Sequence, residues 1–321
     1  MSVETFEAAE TGGLTSESAV QARTPWQLFW RRLRGDRVAL AALAFIVLLV
    51  LVALLQAPIR ALLGLPGPNV QNPAALDVFG TPTGPSAEHP FGVDTLGRDV
   101  FSRVLAGAAV SLQVALISTG IAVAVGTLLG MLAAFYGGWV DTTFSRMADV
   151  LLAFPVLLLA LGIAAACSGA EGCAGGLIQP GIGTVVFTIA FINWVFVFRI
   201  IRGQTLSLRE KEYVEASRSL GASNRRIIFR EILPNLVAPI IVYASLLIPQ
   251  NILLEAALSF LGVGVQPPQA SWGAMIADAV TVFDTAWWFM FFPGTALLLT
   301  VLAFNLVGDG LQDALNPRSD R

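Results

Sequence analysis

Few side chains in this sequence could act on another molecule, and their spacing limits what they could do. The only histidine, His89, stands beside Pro90 and has no serine or cysteine partner set out for nucleophilic catalysis, so it reads as a turn residue. The only lysine, Lys211, has no G-x-x-x-x-G-K-[ST] loop around it, so the chain cannot power itself from ATP. Cys167 and Cys173 bracket the short stretch SGAEG. Two cysteines and one histidine cannot build a multi-ligand zinc site or a haem attachment. A short glycine-rich loop does let the two sulfurs meet, and outside the cytoplasm they would oxidise to a disulfide that reinforces the loop locally. Asn251, Glu255 and Ser259 are spaced by four, which aligns them as a polar stripe on one helix face. A carboxylate in an apolar run is costly and faces protein or a water-filled cavity. Either the stripe lines a translocation path, where Glu255 could take an ammonium group, or it hydrogen-bonds a neighbouring helix.

The elements that must carry these residues are membrane helices. The 321 residues are 55% hydrophobic and 13% charged, with a mean hydropathy of +0.73, whereas soluble domains run near a quarter charged. A net charge of −3 gives no hint of nucleic-acid binding. The first 25 residues are polar and acidic (Glu4, Glu7, Glu10, Glu17), which fits a solvated tail and not a secretory signal. From Val38 to Leu55 every residue is apolar, long enough with its flanks to cross a hydrocarbon core of about 30 Å. Further runs lie at about 109–135, 147–166, 181–198, 236–262 and 286–307. The expectation is an all-α membrane protein with six transmembrane helices, three of them carrying internal prolines. Gly126 and Gly130 form G-x-x-x-G in the second, a sign of close helix packing.

Basic residues set the orientation. With the N-terminus inside, the loop after the fourth helix alone holds Arg199, Arg202, Arg209, Lys211, Arg218, Arg225, Arg226 and Arg230, while Arg60, Arg98 and Arg103 are the basic residues left outside. Both termini are then cytoplasmic. Trp272, Trp287 and Trp288 fall near the outer interface, and Trp26, Trp30 and Trp139 near the inner one. The layout becomes a cytoplasmic tail (1–36), a first span (37–58), an extracytoplasmic segment (59–108), a core (109–310) and a cytoplasmic tail (311–321). In the extracytoplasmic segment Asp94 or Thr95 can cap a helix whose Phe101, Val104, Leu105 and Ala108 share one face. That helix would lie on the bilayer or meet a partner protein.

Seven charged side chains lie between the fourth and fifth spans, in EYVEASRSLGASNRRIIFREILPN (Glu212–Asn235). Two short helices fit it. Tyr213, Ala216, Ser217 and Leu220 recur at helical spacing, Gly221 stops the first helix, and Ser223 caps a second that Pro234 ends or kinks. On pattern alone the hairpin is an amphipathic connector at anionic headgroups or a docking knob for a soluble partner. A nucleic-acid helix-turn-helix would need a third helix and its own core.

This stretch resembles the EAA loop (202–235) of bacterial ABC-importer permeases. Glu215, Ala216, Gly221, Leu233 and Pro234 match the pattern, Ser217 replaces its second alanine, and Glu231 stands where isoleucine is usual. HPFGVDTLGRDVFSRVLAGAAVSL (His89–Leu112) and ALSFLGVGVQPPQASWGAMI (Ala257–Ile276) are similar to marks of the dipeptide/oligopeptide/nickel branch, C-type subunit. The resemblance implies a type I importer permease fold in the bacterial cytoplasmic membrane, not itself an enzyme. It implies a coupling helix at Glu215, Ala216, Ser217, Gly221, Leu233 and Pro234 that fits a groove in an ATPase. The implied partners are a B-type permease, two ATPase subunits that bind the ATP and Mg, and an extracytoplasmic solute-binding protein. The implied cargo is di- or oligopeptides. A nickel chelate or other small solute is the alternative, and a scaffold that docks an ATPase without translocating is a further one.

Overall fold

The computed structural model describes residues 25–169, 172, 173 and 175–315. The tails, with Arg23, Arg318 and Arg321, lie outside these residues, as does the side chain of Trp26. Among the described residues the secondary structure is helical, with isolated bridges and no strands. The N-terminal helix α1 (Pro25–Gly35) leads through Asp36 into α2 (Arg37–Leu54). Asp36 caps α2 by accepting from the Val38 and Ala39 amides at 2.9 and 3.0 Å, filling orphan donors that a membrane-embedded helix start must satisfy. A short α3 (Gln56–Leu62) then opens the long irregular segment up to residue 99.

Helix α4 runs unbroken from Val100 to Tyr136, 37 residues. The separate interfacial helix expected before residue 109 is therefore the first turns of this helix. Its cap is Asp99, not Asp94 or Thr95, and Asp99 accepts from the Ser102 amide at 2.7 Å. The reason is burial: Val100, Ser102, Arg103 and Val104 are packed inside protein, so polar residues that looked extramembrane continue the helix. Asp99 also takes His89 Nδ1 at 2.9 Å. We expect Asp99→Ala to lower the chain's stability by about 1–2 kcal/mol, as loss of a helix cap does, seen as a lower melting midpoint in detergent; Asp99→Asn should recover most of it.

The third expected span is broken. Helices α5 (Gly138–Leu152) and α6 (Val156–Ala166) meet at an angle of 93°. Pro155 provides the corner, since the residue before proline is pushed out of the helical region. Among the described residues five helices are long and apolar enough to cross a membrane, and six if α5 and α6 count as one bent span. The others are α7 (Ile182–Leu208), α10 (Leu233–Phe260, continuous with the turns before it from Asn224) and α12 (Trp287–Leu315). Between α7 and α10 lie α8 (Glu212–Ser219) and the single turn α9 (Asn224–Arg226); between α10 and α12 lies the short α11 (Trp272–Ala279).

The centre is α4 against α7, flanked by α10. A Cβ on Gly126 would lie 2.6 Å from the Trp194 carbonyl, and one on Gly130 2.8 Å from that of Phe198, so the two backbones touch through these glycines. Helices α2 and α12 close the other side over Ala42, Ile46, Ala303 and Phe304. Trp272 and Trp288 are core anchors and not part of an outer aromatic belt. Both are buried, and their indoles donate to the Val104 and Val93 carbonyls at 3.1 and 3.2 Å, as a buried Trp N–H must. Trp30, Trp139 and Trp287 are exposed.

Candidate functional site: a pinned hairpin and two polar clusters

The charged stretch after α7 forms a compact hairpin. Helix α8 ends in a turn in which the Gly221 amide donates to the Arg218 carbonyl and the Ala222 amide to the Ser217 carbonyl, both at 3.0 Å. These two bonds define a Schellman turn, which needs a left-handed residue at the position of Gly221, and Gly221 has φ +78°. Ser223 then caps α9 through the Arg226 amide. Pro234 neither ends nor sharply redirects the second helix. Residues Ile227–Ile232 take a wider π turn, and the Leu233 amide reaches back five residues to Ile228. That turn absorbs the N–H missing at Pro234 and gives its ring room.

Two faces result. Val214, Ile227, Ile228, Ile232 and Leu236 are buried and join Phe198 and Ile201 of α7 in one apolar cluster. Glu215, Ala216, Arg218, Leu220 and Gly221 are exposed, Leu220 at 88%. The semi-apolar face read from Tyr213, Ala216, Ser217 and Leu220 thus points mainly outward, while Val214 acts as the pin. Ser217 and Leu233 are half-buried and Pro234 is exposed. Glu231, the residue that departs from the family pattern, is half-buried beside Tyr213. Burial first, and then the Glu231 carboxylate, push the Tyr213 phenol above its ordinary value.

Sequence reading missed how α7 is tied to its neighbours. Arg202 holds Asp141 of α5 with two bonds, Nη2 to Oδ2 at 2.7 Å. Arg199 pairs with Asp149. Arg209 Nη1 donates to the Ala134 carbonyl at 2.6 Å, filling an acceptor at the end of α4 that the helix leaves open. Asp141 and Asp149, two carboxylates at the start of the third apolar run, were the available signal.

The polar stripe turns inward. Asn251 accepts from Asn193 Nδ2 of α7 and donates to Thr119 Oγ1 of α4 at 2.8 Å. Glu255 accepts from Ser111 Oγ at 2.8 Å and from Ser259 Oγ at 2.7 Å. All three stripe residues are buried. Ser259 Oγ also accepts from the Val265 amide at 3.1 Å, so in this structure the stripe bonds α4, α7 and the segment after α10, which are the contacts of the helix-packing alternative. Cys167 and Cys173 are joined by a disulfide with Cα atoms 4.8 Å apart. His89 is held by Asp99, so its part is to brace the start of α4.

A family model described as "binding-protein-dependent transport system inner membrane component" matches residues 126–321. Another, described as the N-terminal TM domain of oligopeptide transport permease C, matches residues 24–75. The chain belongs to the family of binding-protein-dependent permeases: it is the permease subunit of an ABC importer, a multi-pass inner-membrane component without catalytic activity of its own. Among its relatives are the glutathione transport system permease proteins GsiD of Pectobacterium atrosepticum (41% identical over 296 residues, 92% of each chain) and Escherichia coli (42% over 301 residues, 93% of this chain and 92% of the relative). Membership carries the general partners of such importers: an ATPase, a binding protein and a second permease.

Proposed function

We propose that this subunit imports small peptides by alternating access, and that its Glu212–Asn235 hairpin is the joint through which separate ATPases, which carry the ATP and Mg, drive it. The observation that carries this reading is the two-faced hairpin. It is anchored by Val214 and the isoleucines, yet presents Glu215, Ala216 and Leu220 to a partner. A push on the exposed face is delivered to α7 and α10, because the buried face is continuous with both. The orientation that suits this places both termini and the hairpin in the cytoplasm, in keeping with its basic residues. In it the chain pairs with a B-type permease and receives solute from an extracytoplasmic binding protein. A peptide as cargo is supported by the relatives, whose named solute, glutathione, is a tripeptide. The stripe Asn251, Glu255 and Ser259 then serves the path indirectly, by fixing α10 against α4 and α7.

Glu215→Ala tests the joint. Glu215 is exposed and contributes nothing to the buried cluster. Assembled transporter carrying the variant should keep its melting midpoint and lose most uptake of a labelled peptide. Normal uptake would dismiss the coupling role, and a purified complex containing no ATPase would dismiss the whole reading.

A further inference from the structure

A groove of about 370 Å³ lies between α2 and α12. The two helices touch at its head, where a Cβ on Gly310 would lie 2.5 Å from that of Ala39. From there it follows α2 from Arg37 to Phe45 and α12 from Leu306 back to Leu299. Short side chains cause it: Ala42 and Ala303 are buried at its base, while Ala41 and Leu302 stay exposed along it. The eight residues from Arg37 to Phe45 rise about 12 Å, most of the depth of one leaflet, about 15 Å. Over that length the volume leaves a cross-section of about 30 Å². A helix about 10–12 Å across cannot sink into such a groove, whereas a single extended hydrocarbon chain can.

The head of the groove is cationic. Arg37 is its charged lining residue, and Arg31 and Arg34 precede it on α1. Phe29 and Leu33 of α1 pack with Leu311, Ala314 and Leu315 at the end of α12, which leaves Trp30, Arg31 and Arg34 exposed. Among the described residues the side chains of Arg31, Arg34 and Arg37 form no hydrogen bond and no ion pair; Arg34 lies over the Trp30 ring, 5.9 Å from its centre. Asp36, the carboxylate among them, is committed to the Val38 and Ala39 amides. Arg60, beyond the other end of α2, is by contrast bonded to Gln56 at 2.7 Å. Unpaired arginines at the head of an apolar groove match a molecule with an anionic head and a hydrocarbon tail. An exposed tryptophan beside them suits the headgroup level of a bilayer.

We propose that the α2–α12 groove binds an anionic glycerophospholipid, with one acyl chain along Ala41, Ala42 and Ala303 and the headgroup phosphate on Arg37. Arg31 and Arg34 add to the attraction. A helix of the second permease is too wide to fill the groove. The inference needs only the membrane-spanning permease fold and is independent of the cargo.

The test incubates the assembled transporter in detergent with equal amounts of phosphatidylglycerol and phosphatidylcholine of the same acyl chains. Native mass spectrometry then counts the lipids retained. Phosphatidylglycerol should be favoured by about fivefold or more, the attraction of one arginine near a lipid surface. Arg37→Gln should remove most of that preference. Ala41→Phe, which fills the groove and leaves every arginine in place, should lower phosphatidylglycerol retention by a similar factor. Val47→Phe, exposed on the same helix but outside the groove, should not. Inorganic phosphate should not displace the lipid, and a benzophenone attached at Leu302→Cys should cross-link to it. Equal retention of the two lipids overturns the site. So does a preference untouched by Ala41→Phe, which would mark a general surface attraction, or displacement by inorganic phosphate, which would mark a free-anion site. Cross-linking to the second permease in place of lipid overturns it as well, by making the groove a subunit contact.

Discussion

Gly126→Ala should lower the melting midpoint of this permease and cut the yield of monodisperse protein, whereas Gly120→Ala, two turns away on the same helix, should do neither. A single methyl separates the outcomes because the surroundings differ. At Gly126 the added carbon would lie 2.6 Å from the Trp194 carbonyl and 2.6 Å from Val197 Cβ; at Gly120 nothing lies within 4 Å. Relief at Gly126 requires α4 and α7 to separate by several tenths of an ångström along a shared surface that also carries Phe198 and Ile201. Overpacking of this kind costs about 1–3 kcal/mol. Separation would also stretch the Asn193–Asn251–Thr119 chain that crosses all three central helices. Alanine at Gly120 gains a few tenths of a kcal/mol or more from helix propensity, up to about 1 kcal/mol. Gly130→Ala should fall between them, its nearest contact being the Phe198 carbonyl at 2.8 Å. Gly126→Leu should give no folded chain. Equal midpoints for Gly126→Ala and the parent would mean that the α4–α7 contact does not hold the core together.

What the sequence conveyed depended on the range of the physics involved. The apolar runs around α2, α7, α10 and α12 were legible because a membrane imposes hydrophobicity on each span by itself. So was the hairpin's turn, since Gly221 and Ser223 act within six residues of themselves. The start of α4 was not. Arg103 and Ser102 look like extramembrane residues until Asp94, Pro66 and Pro68 are folded over them, and those partners come from an irregular segment with no periodicity to read. The bend between α5 and α6 was half legible. Pro155 announced a break, but its sharpness depends on where Asp141 and Asp149 find their arginines, 61 and 50 residues further on in α7. The polar stripe shows the same limit. Its period put Asn251, Glu255 and Ser259 on one face, and only the packing of α4 and α7 reveals what that face meets.

Replacing Gly221 should grade transport from near normal to none, in the order Asn, Ala, Pro. The site isolates one variable. Gly221 is exposed and a Cβ there meets nothing within 4 Å, so the backbone angle of +78° is the whole cost for alanine. An L-residue pays about 1–2 kcal/mol to hold a left-handed angle, and asparagine pays less because its side chain bonds locally. Such a penalty shifts the balance between ordered and melted turn by about 5–30-fold. Proline is worse on two counts. Its ring fixes φ near −65°, and it has no amide to give the Arg218 carbonyl, so the turn linking α8 to α9 is lost. Uptake of labelled peptide by the assembled transporter should be within about twofold of the parent for Asn, lower by about 5–30-fold for Ala, and absent for Pro. Hydrogen exchange at the Ala222 amide, which donates to Ser217, should quicken in the same order. The buried pin at Val214 lies outside the turn, so ATPase binding should weaken less than uptake does. That gap distinguishes a joint that must be stiff from a surface that must only stick. Full uptake by Gly221→Pro, with exchange at Ala222 quickened, would show that force reaches α7 and α10 without passing through this turn.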